Sequence, residues 1–179
     1  MRGMHAQIGS SCQAKLVEAV DGVIYDIIID ARPRSKTFGV SSAFKLDPVL
    51  QNKLFVPRGF LHGFVVPKQK DRGNVVFNYY CDNTYDKSNE IGVSPVSFLN
   101  SCSVETWSKD ESLSGLVDAI SDRTRLDLSE KDSSGHDYGE FMASVLTIYN
   151  RTGQIWHSSG FQRKVLDEEL AKGYNKSNV

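Results

Sequence analysis

Cysteine is scarce in this sequence, and neither sign of charge is in excess. The three cysteines, Cys12, Cys81 and Cys102, are scattered over 179 residues without a CxxC pair. They cannot form a disulfide framework or a typical zinc site, so we predict reduced thiols in a cytoplasmic protein. Lys plus Arg number 21 and Asp plus Glu 22, for a formal net charge of -1. The net charge of the chain therefore offers no electrostatic basis for binding nucleic acid or an anionic membrane. It does not exclude a local basic pocket.

Long hydrophobic runs are also missing. The most apolar stretch, Val23 to Asp30, contains the carboxylate of Asp26 and is far shorter than the roughly 20 residues that cross a membrane. The opening residues, MRGMHAQIGSSCQAK, include no hydrophobic segment, so we expect no signal peptide. Composition thus predicts one globular domain over residues 1–179.

The first half of the chain has the pattern of short strands. Lys15 to Val20 ends at Asp21-Gly22, a pair typical of tight hairpin turns. Closely spaced strands without long helical patterns between them predict an antiparallel sandwich or barrel. The other apolar segments, each bounded by Pro, Gly, Asn or Asp, lie at 23–30, 38–46, 53–56, 60–66 and 74–81.

The second half is less regular. Apolar residues at i, i+3, i+4 and i+7 predict an amphipathic helix over 112–122. Residues 126–135 are polar and indicate a loop, whereas 137–149 fit either a helix or a strand. Residues 153–156 indicate the edge of a strand, and 162–172 a charged helix or an extended arm. Neither an internal repeat nor a linker divides the chain.

Two of the four histidines have unusual surroundings. His5 lies in Arg2-Gly3-Met4-His5-Ala6-Gln7, and His62 lies between glycines in Gly59-Phe60-Leu61-His62-Gly63. Two histidines entering one barrel would be a base and a binding residue, or metal ligands. Because the sequence has no His-x-His pair, we predict that no metal is bound.

Asp132 and two adjacent tyrosines are further candidates. Asp132 lies in the polar segment Leu128-Ser129-Glu130-Lys131-Asp132, where a carboxylate is usually solvated. Tyr79 and Tyr80 follow each other on a predicted strand, so one should face the core and the other solvent. Patterning alone leaves the chemistry of these side chains open.

Six blocks of the sequence, taken in order, resemble the cupin-type deoxysugar-nucleotide epimerases, the dTDP-4-dehydrorhamnose 3,5-epimerase family. The blocks are 2–7, 14–17, 30–39, 55–64, 79–85 and 128–132. The resemblance implies a mainly β fold, a cupin-like double-stranded β-helix (jelly-roll barrel) with a few peripheral helices. It also implies a homodimer that needs no cofactor and binds a nucleotide-diphosphate sugar.

The resemblance further implies a reaction, the inversion of C3, C5 or both in a nucleotide-linked 4-keto-6-deoxy sugar, as in dTDP-rhamnose and polysaccharide biosynthesis. By the same resemblance His5 is the catalytic base and Asp132 its partner. Tyr79 is the acid on the opposite face of the sugar, and Lys15 lies near the C4 oxygen. The implied substrate-binding residues are Arg2, Gln7, His62, Tyr85 and Lys131.

The sequence departs from the family pattern in several places. Ala6, Glu18 and Thr84 replace a usual aromatic residue, an arginine and a tyrosine. Family members also carry a segment before the Arg-Gly-x-His block, which residues 145–179 resemble faintly. Two hypotheses follow: residues 145–179 are that segment moved by circular permutation, or they are an unrelated extension.

Alternative functions also stay open. A 3,4-ketoisomerase or an epimerase acting at a single carbon shares the barrel. A non-catalytic sugar-binding cupin is the alternative from another class, but it would need no base, partner and opposed acid.

Overall fold

The computed structural model describes residues 1–68, 74–102, 104–156 and 162–172, in which we number eight strands and five α-helices. The strands are β1 (Arg2–Gln7), β2 (Lys15–Asp21), β3 (Ile24–Asp30), β4 (Ser41–Leu46), β5 (Lys53–Val56), β6 (Phe60–Val65), β7 (Val76–Cys81) and β8 (Glu90–Gly92). The helices are α1 (Pro95–Ser101), α2 (Ser114–Ser121), α3 (Glu130–Ser133), α4 (Tyr138–Thr152) and α5 (Arg163–Leu170).

The strands form two antiparallel sheets, which confirms the predicted architecture. One sheet has the order β4-β3-β6-β1-β8 and the other β5-β2-β7. The turn predicted at Asp21-Gly22 is present, and Gly22 has the positive φ of 80° that glycine tolerates. The predicted hairpin is wrong, however, because β2 pairs with β5 and β7 whereas β3 pairs with β4 and β6. The turn therefore carries the chain from one sheet to the other.

Strand β3 is buried on both faces and separates two hydrophobic clusters. Ile24 and Ile28 pack towards the second sheet, in a cluster with Val17 of β2. Ile27 and Ile29 on the opposite face belong to the cluster that the helices cover. Asp26 shares the face of Ile24 and Ile28, because successive side chains of a strand point to opposite sides. A carboxylate thus enters the space between the two sheets.

The helices resolve the irregular second half of the chain. The helix predicted over 112–122 is confirmed as α2, whereas the loop predicted over 126–135 is wrong in part, because Ser129 caps α3 there. The segment that fits either a helix or a strand is helix α4, which Asp137 caps and which Gly153 ends with a left-handed φ of 69°. None of the helices in these ranges has the length and apolar character needed to cross a membrane.

The described residues after position 144 are mainly helical. They include most of α4, all of α5 and an isolated bridge between Gly9 and Trp156 where a strand edge is predicted. The tail 173–179, which the permutation hypothesis joins to Met1, lies outside the described residues. Both hypotheses for residues 145–179 therefore stay predictions.

Candidate active site

Strands β1 and β6 bring the two unusual histidines together. His5 and His62 are direct partners in the antiparallel register of these strands. The strands approach closely beside them, since a Cβ atom added to Gly63 would lie 2.6 Å from the carbonyl oxygen of Arg2. A Cβ atom added to Gly3, two residues before His5, would lie 2.5 Å from Gly63 Cα, so the packing of the two backbones requires glycine at both positions.

The imidazole of His5 lies against a buried carboxylate. His5 Nε2 is 3.0 Å from Asp132 Oδ1, and the Asp132 side chain is only 1% exposed. The backbone N–H of Gly3 donates to the same oxygen at 3.3 Å, and the Ser129 hydroxyl donates to Oδ2 at 2.7 Å. The expectation of a solvated Asp132 is therefore wrong: helix α3 buries this carboxylate, and its neighbours fix its orientation.

A second carboxylate, Glu90 of β8, faces the other ring nitrogen. Glu90 Oε1 is 3.8 Å from His5 Nδ1. Its Oε2 atom accepts a hydrogen bond from the Tyr85 hydroxyl at 3.0 Å and pairs with the ammonium of Lys131. Burial tends to raise the pKa of Glu90, but the bonds from Lys131 and Tyr85 lower it overall. Sequence reasoning missed Glu90, because its role depends on contacts that no local motif displays.

The protonation of His5 reflects these opposing charges. Burial is the main cause that lowers the pKa of the His5 imidazole. The carboxylates of Glu90 and Asp132 raise that pKa. The cations of Lys131 and Lys15 lower it. The net effect is a lowered pKa, which favours the neutral imidazole near pH 7.

His62 has a carboxylate partner of its own. Its Nε2 atom pairs with Asp26 Oδ1 from the adjacent strand β3, and both side chains are almost fully buried. The second oxygen, Asp26 Oδ2, is also buried and has no hydrogen-bond partner in the described ranges. The ring of Tyr79 meets that of His62 edge-on, with 6.0 Å between the centroids. The space between the sheets thus holds two His–Asp pairs.

The second sheet contributes Tyr79 and Lys15. Lys15 pairs in register with Cys81 and Val17 with Tyr79, so these four side chains share the inner face of β2 and β7. Burial raises the pKa of the Tyr79 phenol, and the charge of Asp26 adds to this effect. Burial lowers the pKa of Lys15. Tyr80 points to the outer face, where its hydroxyl donates to Glu18 at 2.9 Å, as the alternation of the strand predicts.

The remaining predicted binding residues differ in their surroundings. Arg2 is exposed, and its guanidinium donates to the carbonyl oxygens of Met1 and Asp127 at 3.1 and 3.5 Å. Gln7 is buried, and its Oε1 atom accepts from the backbone N–H of Asp86 at 3.0 Å. The Gln7 Nε2 atom is a buried donor without a partner in the described part of the chain. Gln7 thus lies on the same face of β1 as His5, whereas the Arg2 side chain contacts backbone oxygens.

Comparison with protein families and curated sequences gives a consistent match. The dTDP-4-dehydrorhamnose 3,5-epimerase family matches residues 1–140. The protein of that name from Shigella flexneri is 36% identical over 93 residues, which are 52% of this chain and 49% of that protein. The chain therefore spans about half the length of the curated relatives that it matches.

Solved structures show the same likeness. The dTDP-4-dehydrorhamnose 3,5-epimerase from Elizabethkingia anophelis NUHP1 is 34% identical, with a TM-score of 0.60 over 78% of this chain and 66% of that one. The dTDP-6-deoxy-D-glucose-3,5-epimerase from Legionella pneumophila Philadelphia 1, solved in complex with dTDP-4-keto-L-rhamnose, is 26% identical. Its TM-score is 0.57 over 81% of this chain and 66% of that one. The likeness confirms the predicted mainly β, cupin-like fold.

Proposed function

Since the chain belongs to the dTDP-4-dehydrorhamnose 3,5-epimerase family, we propose that it inverts C3, C5 or both of a nucleotide-linked 4-keto-6-deoxy sugar. The observation that carries this proposal is the 3.0 Å approach of His5 Nε2 to Asp132 Oδ1, in the sheet that faces Tyr79 across the barrel. The C4 ketone of such a sugar acidifies the C–H bonds at C3 and C5. The proposed reaction therefore uses a base and an acid and needs neither a cofactor nor a metal.

His5 is the base of the proposed reaction. Asp132 occupies the Nε2 side of the ring, which leaves Nδ1 to accept a proton from the sugar carbon. The C–H bond breaks, its electron pair moves into an enolate at C4, and His5 becomes an imidazolium. The Asp132 carboxylate, 3.0 Å from Nε2, stabilises that cation.

Tyr79 is the acid that makes the reaction an inversion. The proton must return from the face opposite the base, and Tyr79 belongs to the sheet opposite His5. Because burial raises the pKa of its phenol, Tyr79 stays protonated at neutral pH and can donate. As a residue Tyr79 is still 44% exposed, so water can restore the proton after each turnover.

Cationic and polar groups between the sheets stabilise the enolate and bind the sugar. Lys15, on the inner face of β2, supplies positive charge for the C4 oxygen, and His62 adds a second polar group. The unpartnered Nε2 atom of Gln7 is a donor for a polar atom of the substrate. Tyr85 and Lys131, which both contact Glu90 Oε2, bind the substrate beside His5.

The proposal extends to the assembly and the compartment of the protein, a homodimer in the cytoplasm. Val76 and Tyr80 of the edge strand β7 are 51% and 53% exposed, and Phe55 of β5, the opposite edge strand of the same sheet, is 61% exposed. An exposed strand edge with an apolar face favours pairing with a second copy of the chain. Within the described residues, Cys12, Cys81 and Cys102 form no disulfide bond, which fits a reducing compartment.

The proposal is tested by following deuterium from D2O into dTDP-4-keto-6-deoxyglucose by NMR. Wild-type protein should incorporate deuterium at C3, C5 or both and form the inverted sugar. His5→Ala should slow this exchange by about 10²- to 10⁴-fold, because a positioned general base typically contributes that much. Absence of exchange at both carbons in the wild-type protein would overturn the epimerase proposal for this sugar.

The same spectra distinguish the alternative functions. Exchange at one carbon alone identifies an epimerase with a single site of action. Migration of the ketone from C4 to C3 changes the carbonyl carbon signal and identifies a 3,4-ketoisomerase. Binding of the nucleotide sugar without exchange identifies a non-catalytic sugar-binding protein.

A further inference from the structure

Glu90 contacts His5, Tyr85 and Lys131, but it takes no step in the proposed reaction. Its two oxygens divide their contacts. Oε1 lies 3.8 Å from the proton-accepting Nδ1 of His5. Oε2 is held by the Tyr85 hydroxyl at 3.0 Å and by the ammonium of Lys131. One oxygen therefore faces the base while the other is anchored.

The strand that carries Glu90 is short and lies at the edge of its sheet. Strand β8 contains only the three residues Glu90–Gly92 and is the outermost strand of the five-stranded sheet, next to β1. In the register with β1, Glu90 lies opposite Gln7 and Gly92 lies opposite His5. A Cβ atom on Gly92 would lie 2.9 Å from His5 Cδ2, so even a small displacement of β8 would alter the packing of the imidazole.

Helix α5 supports this strand from outside. The Arg163 guanidinium donates to the carbonyl oxygen of Glu90 at 2.9 Å, and its backbone N–H donates to Asn89 Oδ1 at 3.4 Å. Leu166, one turn further along the helix, is fully buried in the hydrophobic cluster that contains Ile27 and Ile29 of β3. Helix α5 lies beyond residues 1–140, the part of the chain that the family matches.

We infer that Glu90 is a positioning residue that orients the His5 imidazole and supports its positive charge, and that helix α5 fixes the strand carrying Glu90. The inference rests on the proposed function in treating His5 as the base. Glu90 itself gains and loses no proton in the cycle. It acts through His5, and Arg163 acts through Glu90.

The sign of the effect follows from the charges around His5. Removing the Glu90 carboxylate takes away a negative charge that favours the imidazolium, so the pKa of His5 should fall. A base with a lower pKa is neutral at lower pH but is also weaker. The other titratable and charged groups around this ring are Asp132 and Lys131 from α3, Lys15 from β2, Tyr85 before β8, and the His62–Asp26 pair of β6 and β3.

The test compares Glu90→Gln with Glu168→Gln, a glutamate of α5 whose side chain is 62% exposed. The His5 signal is assigned by its loss in His5→Ala, and its titration is followed by NMR. We expect Glu90→Gln to lower the pKa of His5, to move the acidic limb of the kcat/KM profile to lower pH and to reduce kcat about tenfold. Glu168→Gln should change none of these. Glu90→Asp keeps the negative charge, so it should show smaller changes than Glu90→Gln. An unchanged His5 titration in Glu90→Gln would overturn the inference.

A second pair of variants tests helix α5. Arg163→Gln removes the guanidinium that binds the Glu90 carbonyl oxygen, whereas Lys164→Gln changes a neighbour that is 81% exposed. We expect Arg163→Gln to shift the His5 titration in the same direction as Glu90→Gln but less far, and Lys164→Gln to leave it unchanged. A His5 titration unaffected by Arg163→Gln would overturn the role of α5.

Failure of this inference can be told apart from failure of the proposed function. If the wild-type protein does not exchange protons of a 4-keto sugar, the proposed function fails, but the NMR titration still decides whether Glu90 supports the charge on His5. If Glu90→Gln does not fold, as judged by circular dichroism, Glu90→Asp and Arg163→Gln provide the decisive titrations.

Discussion

His5 of β1 lies directly opposite His62 of β6, and each imidazole contacts a different aspartate, Asp132 and Asp26. The two pairs differ in access to solvent. The His5 side chain is 20% exposed, whereas that of His62 is 3% exposed. A base must reach the substrate, so the accessible pair is suited to proton transfer, whereas in the proposed reaction the buried pair holds His62 as a fixed polar group for the enolate.

Replacing Asp132 tests the accessible pair. We expect Asp132→Asn to lower kcat by about 10²- to 10³-fold, because an amide cannot stabilise the imidazolium that forms at His5. The rate of deuterium incorporation into the 4-keto sugar measures this effect. Glu130→Gln, an exposed neighbour on α3, is the control and should retain the wild-type rate. A variant of Asp132 with undiminished kcat would exclude the carboxylate from the mechanism.

Replacing Tyr79 should separate proton exchange from inversion. Without its hydroxyl, Tyr79→Phe cannot return a proton from the face opposite His5. We expect inversion to slow by about 10²-fold or more while His5 still exchanges the sugar proton with solvent. NMR of the sugar in D2O reports both processes at once. Tyr80→Phe, on the outer face, should leave the two rates coupled; equal losses of exchange and inversion in Tyr79→Phe would contradict its role as the acid.

A methyl group at Gly92 should displace the base. The added Cβ atom would lie 2.9 Å from His5 Cδ2, so the imidazole or strand β8 must move. Because misplacement of a catalytic group by about 1 Å can cost about 10²-fold in rate, we expect a loss of kcat of that order in Gly92→Ala. Gly139→Ala, at an exposed position of α4, is the matched control. Full activity of Gly92→Ala would mean that the site tolerates a shift of His5.

The buried carboxylate of Asp30 should contribute to stability only above acidic pH. Burial tends to raise the pKa of Asp30, but hydrogen bonds from Arg32, Ser35 and Thr37 outweigh it and lower this pKa well below its ordinary value. The contribution is therefore complete above the unfolded-state pKa of about 3.9 and is lost as the pH falls towards the folded-state pKa.

The corresponding variant is Asp30→Asn, with Asp118→Asn at an exposed position of α2 as the control. We expect Asp30→Asn to lower the free energy of unfolding at pH 7 and to flatten its decline below about pH 4. Urea denaturation between pH 2 and pH 7 measures both effects. Equal pH dependence in Asp30→Asn and wild type would show that another group is responsible for the acid sensitivity.

Much of the fold follows from local pattern. The strand segments and the helix over 112–122 are confirmed, because period-2 and period-3.6 hydrophobicity are properties of single segments. The hairpin at Asp21-Gly22 is wrong because turn residues specify a reversal of the chain but not which strands pair afterwards. Strand β8 is not predicted, since three residues are too few to show a period.

The site divides in the same way. The blocks that contain His5, Asp132 and Tyr79 can be recognised along the chain, but only the structure shows that His5 Nε2 and Asp132 Oδ1 are 3.0 Å apart. Glu90 has no recognisable motif, and its importance comes from contacts with residues of β1, α3 and the segment before β8.

The sequence by itself determined the family, the sheet-forming segments and the residue types available for proton transfer, because these depend on local order along the chain. The tertiary structure decided which sheet each strand joins, which carboxylate serves each histidine and how helix α5 reaches β8. Those choices depend on packing and charge between residues distant in sequence, such as Arg163 and Glu90, whose energies no single segment contains.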